Sequence, residues 1–210
     1  MILLSLIIWL GAVAVAIIIH EMAHALASDR LGDPTARLDG RLSFNPIEHY
    51  DPVGTTLLIA TSVMAAFGAP VMPFGWAKPV MFDPYNLKNP KRDAALIAAS
   101  GPVANLILAV IIAILLRLFF MELPLVNVFI VALITVNVSL AVFNLIPIHP
   151  LDGSKILYGL LPPHLAREYD TVMARYGLLI LAFLIIPFSG QSAVSALISP
   201  IITNLLTLLL

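Results

Sequence analysis

The stretch IIIHEMAHAL, residues 17–26, ends an apolar run that carries no charge from position 2 to position 19. About 20 consecutive apolar residues are enough for a helix to span the hydrocarbon core of a bilayer. His20 and His24 are four positions apart, so both imidazoles lie on one face of a helix. Glu21 lies beside them. The stretch therefore predicts a membrane helix, over roughly residues 2–28, that presents two metal ligands and a carboxylate.

Further uncharged runs follow, at residues 52–77, 94–116, 123–148 and 177–210. Of the 210 residues, 60% are hydrophobic and only 11% are charged, whereas a soluble domain carries roughly 25% charged residues. The composition predicts an all-α polytopic membrane protein with about 4–6 membrane helices. We expect a single domain over 1–210, embedded in the lipid bilayer of the cell membrane as a multi-pass protein.

Several classes are disfavoured by composition. The net charge is -1 and there is no basic tract, so nucleic acid is not an expected partner. The chain contains no cysteine, which leaves His, Asp and Glu as metal ligands. The first run lacks the cationic start of a signal peptide and leads directly into the His-rich stretch, which disfavours that alternative. The sequence gives no basis for an oligomeric state.

Two segments bear on secondary structure outside the first helix. Helices are predicted at 93–119 and 125–146, and the second is ended by Pro147 and Pro150. The helix is therefore broken near the predicted metal site. The stretch ARLDGRLSF, residues 36–44, predicts a small membrane-associated β-hairpin, because Asp-Gly favours a two-residue turn that matches strand twist.

The run 52–77 is interrupted by Gly68, Pro70 and Pro73, so we expect it to dip into the bilayer and return on the same side. The alternative is an ordinary spanning helix. A re-entrant run leaves one crossing between the two parts of the predicted metal site, so their helices run in the same direction. With the N-terminus outside, it also places every Lys and Arg except Arg117 on the cytoplasmic side, as cytoplasmic loops prefer.

A catalytic zinc has three protein ligands and one open position, so a third ligand is needed. Asp152 follows the last residues of the 125–146 helix, within NLIPIHPLDG at 144–153. Taken alone, Asp152 could equally be the N-cap of a helix that begins near Gly153. The remaining histidines are alternatives: His49, His149 and His164. Of these, His149 is the strongest because it is three residues from Asp152.

Three elements in order resemble the motifs of the site-2 protease family of intramembrane zinc metalloproteases. The first is His20-Glu21-x-x-His24. The second is Gly101-Pro102-Val103-Ala104-Asn105, similar to the family's G-x-x-x-N element. The third is Asn144-x-x-Pro147 followed by Leu151-Asp152-Gly153. Stretches at 45–55 and 74–79 are similar to a small prokaryotic branch that lacks a PDZ domain. Many relatives have a second Gly where this chain has Ser154.

The resemblance implies one Zn²⁺ per chain, held by His20, His24 and Asp152, with Glu21 as the catalytic base. It implies that Asn105 and Asn144 line the active site, where either amide could stabilise an oxyanion; helix packing is the alternative role. The implied reaction is hydrolysis of peptide bonds in or near transmembrane segments of membrane-anchored proteins. A helical substrate must unwind first, and we expect the unwound strand to pair with an edge near residues 36–44.

Two other function classes remain at this stage. A metal-binding membrane transporter would also place His and Asp within the bilayer. It would not need Glu21 between the histidines, and the paired halves common in transporters are not found in the sequence. A proteolytically inactive homologue is the other class, and the intact His-Glu-x-x-His motif disfavours it.

Overall fold

The computed structural model describes residues 2–69, 73–119, 124–188 and 191–210. Within these ranges the fold is helical, apart from a two-residue strand pair, β1 Pro187–Phe188 with β2 Gln191–Ser192. The helices are α1 Ile2–Leu31, α2 Thr35–Leu38, α3 Pro52–Ala66, α4 Pro90–Leu118, α5 Pro124–Asn144, α6 Asp152–Leu160, α7 Pro163–Ile185 and α8 Ala193–Leu209. Short 3₁₀ turns lie at Pro46–His49 and Pro84–Asn86.

Three described helices, α1, α4 and α5, are long and apolar enough to cross a membrane. The predicted all-α class is therefore confirmed, but the predicted number of about 4–6 membrane helices is not. The apolar helices α3 and α8 have 15 and 17 residues, fewer than the roughly 20 that a full span needs. The first half of α7 carries charged residues.

The helices α1 and α4 pack side by side in opposite directions. Near the end of α1, His24 Nδ1 lies 2.7 Å from the backbone oxygen of Ile97. Earlier on α1, the backbone oxygen of Ala16 accepts a hydrogen bond of 2.9 Å from Asn105 Nδ2. As the chain advances along α1, its contacts therefore move back along α4, which defines an antiparallel pair.

The helix α5 runs parallel to α1. Gly11 lies against the ring of Phe129, and further along both helices Ala16 packs in one cluster with Val136. Ala12 and Ala16 are fully buried, and such small residues allow helices to approach closely in a membrane. The directions agree with the prediction that the two helices leading to the metal site run the same way.

The predicted β-hairpin at 36–44 is wrong. Thr35–Leu38 forms the helical turn α2, and no residue of 36–44 is in a strand. The backbone N–H and the hydroxyl of Thr35 both donate to Asp33 Oδ1, at 3.2 and 2.6 Å, which stabilises the start of the turn. Gly40 has a φ of 72°. The N–H groups of Gly40 and of the residue after it donate hydrogen bonds to backbone carbonyls of α2, which closes the turn. Asp-Gly therefore ends a helix here.

The run 52–77 turns back on itself. Thr61 Oγ1, on α3, accepts from the backbone N–H of Phe74 at 2.9 Å. Where the chain enters and leaves this run, the Lys78 N–H donates to the backbone oxygen of His49 at 3.0 Å. The chain after position 73 thus returns beside α3, and the two ends of the run are adjacent. That this run dips into the bilayer stays a prediction. Pro70, one of the predicted breaks, lies outside the described residues.

The predicted break after α5 is present. The chain leaves helical structure after Asn144, turns through residues 145–151, and resumes as α6 at Asp152. The start of α6 lies against the end of α5 at Gly153, where an added Cβ would be 2.3 Å from the backbone oxygen of Leu145. Only glycine allows this close approach, and it places the first residue of α6 beside α1.

Candidate metal centre

The side chains of His20, His24 and Asp152 meet between α1 and α6. His20 Nε2 lies 3.0 Å from Asp152 Oδ2, and His24 Nε2 lies 3.3 Å from the same oxygen. The two Nε2 atoms are 3.0 Å apart. Within the described ranges, this is the group of His, Asp or Glu side chains placed to share one metal ion. Both imidazoles are buried, and Asp152 is nearly so.

The hydrogen bonds at the two Nδ1 atoms determine whether the Nε2 atoms carry a proton. His24 Nδ1 lies 2.7 Å from the Ile97 carbonyl, which can only accept, so His24 carries a proton on Nδ1. His20 Nδ1 lies 2.7 Å from Asn105 Oδ1. The orientation of that amide is set because Asn105 Nδ2 donates to the carbonyl of Ala16. In the neutral form, each imidazole therefore presents a bare lone pair at Nε2.

Three electron-pair donors thus face one another. Asp152 Oδ2 is buried and accepts no hydrogen bond, although a buried carboxylate oxygen normally has a partner. A cation shared by Oδ2 and the two Nε2 atoms removes their mutual repulsion and compensates the buried charge. Two imidazole nitrogens and one carboxylate oxygen are a donor set that zinc accepts, with a fourth position left for water or substrate.

Gly101 of α4 makes room for the two imidazoles. An added Cβ at this position would lie 2.5 Å from both Cε1 and Nε2 of His24, and 2.7 Å from Cε1 of His20. Since no side chain fits there, α4 can pack directly against the face of α1 that carries His20 and His24. The glycine of the predicted G-x-x-x-N element therefore shapes the site by its lack of a side chain.

Asn105 lies behind His20, at the centre of a polar network. Its Oδ1 faces His20 Nδ1, and its Nδ2 donates to Ala16 O at 2.9 Å and to Asn137 Oδ1 at 2.7 Å. Asn137 in turn donates from Nδ2 to Leu133 O at 2.8 Å. Both asparagines are fully buried. Asn105 therefore uses its carbonyl oxygen and both amide hydrogens within the protein.

Sequence reasoning missed Asn137. The signal was available, because a polar side chain within a membrane-spanning run is costly and needs a partner inside the protein. Asn137 is also seven positions before Asn144, which places both on one face of α5. Asn144 itself is half-buried and donates from Nδ2 to Leu140 O at 3.0 Å.

Glu21 is half-buried and lies next to the segment that follows the 52–77 run. Its Oε2 accepts a hydrogen bond of 3.3 Å from the backbone N–H of Val80. Val80 is buried in a small cluster with Ala25 of α1 and Ala36 of α2. The carboxylate is thus held by a segment distant in sequence, while its second oxygen, Oε1, accepts no hydrogen bond among those described.

The alternative third ligands do not join the cluster. His149 is exposed, and its Cβ and backbone oxygen pack against Gly177 of α7. His49 is buried, with Nε2 at 2.8 Å from the carbonyl of Ser43. His164 is exposed in the first turn of α7. The described structure therefore brings Asp152, and none of these histidines, to His20 and His24.

Comparison with known proteins gives several matches. Residues 120–186 match peptidase family M50. The chain is 35% identical over 185 residues to "Putative zinc metalloprotease YwhC" of Bacillus subtilis, covering 84% of this chain and 79% of that protein. It is 32% identical over 179 residues to "Putative zinc metalloprotease Rip2" of Mycolicibacterium smegmatis, covering 80% of this chain and 62% of that protein. Rip2 of Mycobacterium tuberculosis is 29% identical, with 83% and 63% covered. No solved structure matches the chain.

Proposed function

The chain belongs to peptidase family M50, the site-2 protease family, and is a zinc metalloprotease, and we propose that it cuts membrane-anchored proteins in or near their transmembrane segments. One observation carries this proposal. The ligands His20 and His24 lie on α1, and the residues packed against them belong to α4. Both helices are long and apolar enough to cross a membrane. A peptide bond that reaches this cluster has to enter the bilayer. We accordingly assign the chain to the cell membrane as a multi-pass protein.

We assign His20, His24 and Asp152 as the ligands of one zinc ion per chain. Their donor atoms lie within 4.8 Å of one another, and Asp152 Oδ2 has no hydrogen-bond partner. A zinc ion at this position supplies Lewis-acid chemistry, lowering the pKa of water and polarising a carbonyl group.

Glu21 acts as the general base and then as the general acid. Its Oε2 is engaged by the N–H of Val80, so Oε1 is the atom available to take a proton from the attacking water. The same oxygen can return that proton to the leaving amine. The hydrogen bond from Val80 keeps the carboxylate oriented through both transfers, which a freely rotating side chain would not achieve.

The two asparagines receive different roles. Asn105 has no amide hydrogen left for an oxyanion, since both are donated within the protein. We therefore assign it to holding His20 in the Nδ1-protonated tautomer, as residues behind metal ligands commonly do. Asn144 donates one amide hydrogen to Leu140 O and retains another. It is our candidate for stabilising the oxyanion.

Replacement of Glu21 tests the function. The wild-type protein and Glu21→Gln are expressed separately in a bacterial host, and the new termini of membrane proteins are mapped by mass spectrometry. We expect wild-type-specific termini inside or beside transmembrane segments, and their loss in Glu21→Gln and on treatment with a zinc chelator. Purified Glu21→Gln should retain one zinc. Near-normal cleavage by this variant would disprove the mechanism, and cuts confined to soluble domains would disprove the proposed substrate class.

A further inference from the structure

The third ligand directly follows a turn that is not part of any helix. Asp152 is the first residue of α6, and the seven residues before it, 145–151, form no helix. The preceding residue, Leu151, supplies no side-chain cap to α6. The position of the Asp152 carboxylate relative to α1 therefore depends in part on the contacts that hold this turn.

Tyr169 of α7 contacts the turn on both sides of Asp152. Its hydroxyl lies 2.8 Å from the backbone oxygen of Pro147 and 3.1 Å from Ser154 Oγ. A phenol has one proton, and a carbonyl can only accept, so the Tyr169 O–H donates to Pro147 O. The second bond is then completed by the hydroxyl of Ser154. One oxygen atom thus joins the chain before Asp152 to the helix that follows it.

The rest of α7 supports this contact. Gly177 lies eight residues after Tyr169 on α7 and packs against His149. A Cβ added at Gly177 would be 2.7 Å from His149 Cβ. Ser154 is 6% exposed, so its hydroxyl requires a partner within the protein. Tyr169 supplies that partner, and nothing in the zinc ligand set or in the role of Glu21 accounts for it.

We propose that Tyr169, acting with Ser154, is a positioning residue that holds Asp152 in place as the third zinc ligand. The inference rests on the proposed assignment of Asp152 to zinc. Outer residues that orient metal ligands are typically worth about 10- to 100-fold in metal affinity. Loss of the hydroxyl should therefore weaken zinc binding while the apolar packing of the ring is retained.

Zinc titration of purified variants in detergent, against a competing chromogenic chelator, tests the proposal. Tyr169→Phe is expected to raise the zinc dissociation constant by roughly tenfold or more, and to alter the visible absorption of the Co²⁺-loaded protein. Tyr176→Phe is the matched control, because Tyr176 lies on the same helix and is 44% exposed. It should bind both metals as the wild type does.

Ser154→Ala provides a second variant should Tyr169→Phe fail to fold. It should also weaken zinc binding. The loss of zinc-binding free energy in the double variant should be smaller than the sum of the losses in the two single variants, since both residues act through one contact. The proposal is overturned if the folded variants bind zinc like the wild type. It is also overturned if they only lower the thermal midpoint of the metal-free protein. Asp152→Ala, titrated in parallel, tests the ligand assignment separately from the role of Tyr169. Wild-type zinc affinity in this variant would overturn the assignment of Asp152 as a zinc ligand.

Discussion

Gly101 lies directly against His24, so closely that a Cβ at position 101 would be 2.5 Å from both Cε1 and Nε2 of the imidazole. The ring cannot move away freely, because its Nδ1 is bound to Ile97 O. We expect Gly101→Ala to displace the ligand and lower zinc affinity by at least about tenfold, the range seen when metal ligands lose their orientation. The protein should still fold, since alanine favours the helix by roughly 1 kcal/mol. Zinc titration and the thermal midpoint measure the two effects.

Gly11→Ala is the control for this variant. Gly11 also lies in a membrane helix, but an added Cβ there would be 3.6 Å from Phe129 Cε2, an ordinary van der Waals distance. Its zinc affinity should equal that of the wild type. If Gly101→Ala also bound zinc normally, the close packing of α4 on the ligands would not be required.

Asn105→Ala and Asn144→Ala should fail in different ways. Without Asn105, His20 Nδ1–H loses its acceptor, and we expect zinc affinity to fall by about 10- to 100-fold. Asn144→Ala should keep zinc but lower kcat by about 100-fold or more, as loss of an oxyanion donor does. Zinc titration and kcat on one cleaved membrane substrate separate the two roles. Normal zinc binding by Asn105→Ala would contradict the role assigned to it.

Asp33 joins the end of α1 to the segment that precedes α4. It is fully buried and accepts hydrogen bonds from Ser28, Thr35, the backbone of Asp83 and Asn86. Burial acts to raise the pKa of Asp33, but the hydrogen bonds from Thr35, Asn86 and Asp83 outweigh it and lower the pKa to about 2. The charged form is therefore the one that stabilises the fold.

A lowered pKa predicts a defined pH dependence. The stabilisation is complete above the unfolded pKa of 3.8 and is lost as the pH falls toward about 2. At pH 7, Asp33→Asn should destabilise the protein by about 1–3 kcal/mol, because buried donors lose a charged acceptor. The difference from the wild type should shrink below pH 4, measured as unfolding midpoints in detergent. The exposed Asp39→Asn is the control, and a pH-independent difference for Asp33→Asn would contradict the explanation.

The predicted re-entrant course of residues 52–77 determines which engineered cysteines should be accessible from each side of the membrane. The backbone hydrogen bond between Lys78 and His49 holds together the chain segments before and after the 52–77 run, so both should lie on the same side of the membrane. In this cysteine-free chain, Asp39→Cys and Lys88→Cys should react with an impermeant thiol reagent from the same side of the membrane. Arg117→Cys, at the far end of α4, should react from the opposite side. Labelling of positions 39 and 88 from opposite sides would show that the run spans the bilayer.

The sequence by itself determined the local part of the metal site. Helical periodicity alone places His20 and His24 on one face with Glu21 beside them, whatever packs around them. The lengths of the uncharged runs, together with the prolines after α5, likewise indicated the apolar helices and the break before Asp152. These features depend on neighbours a few residues apart, so spacing is sufficient to predict them.

The tertiary structure decided the contacts between distant residues. Asp152 and His149 were both reasonable third ligands by spacing, and the structure places Asp152 beside the two histidines and His149 against Gly177 of α7. The Asp39-Gly40 pair predicted a hairpin from local sequence alone, but the structure has a helical turn whose start is stabilised by hydrogen bonds from Thr35 to Asp33. The role of Asn105 depended on where both of its amide hydrogens were donated. Each choice was between locally similar alternatives, whose free energies differ only through partners supplied by remote segments.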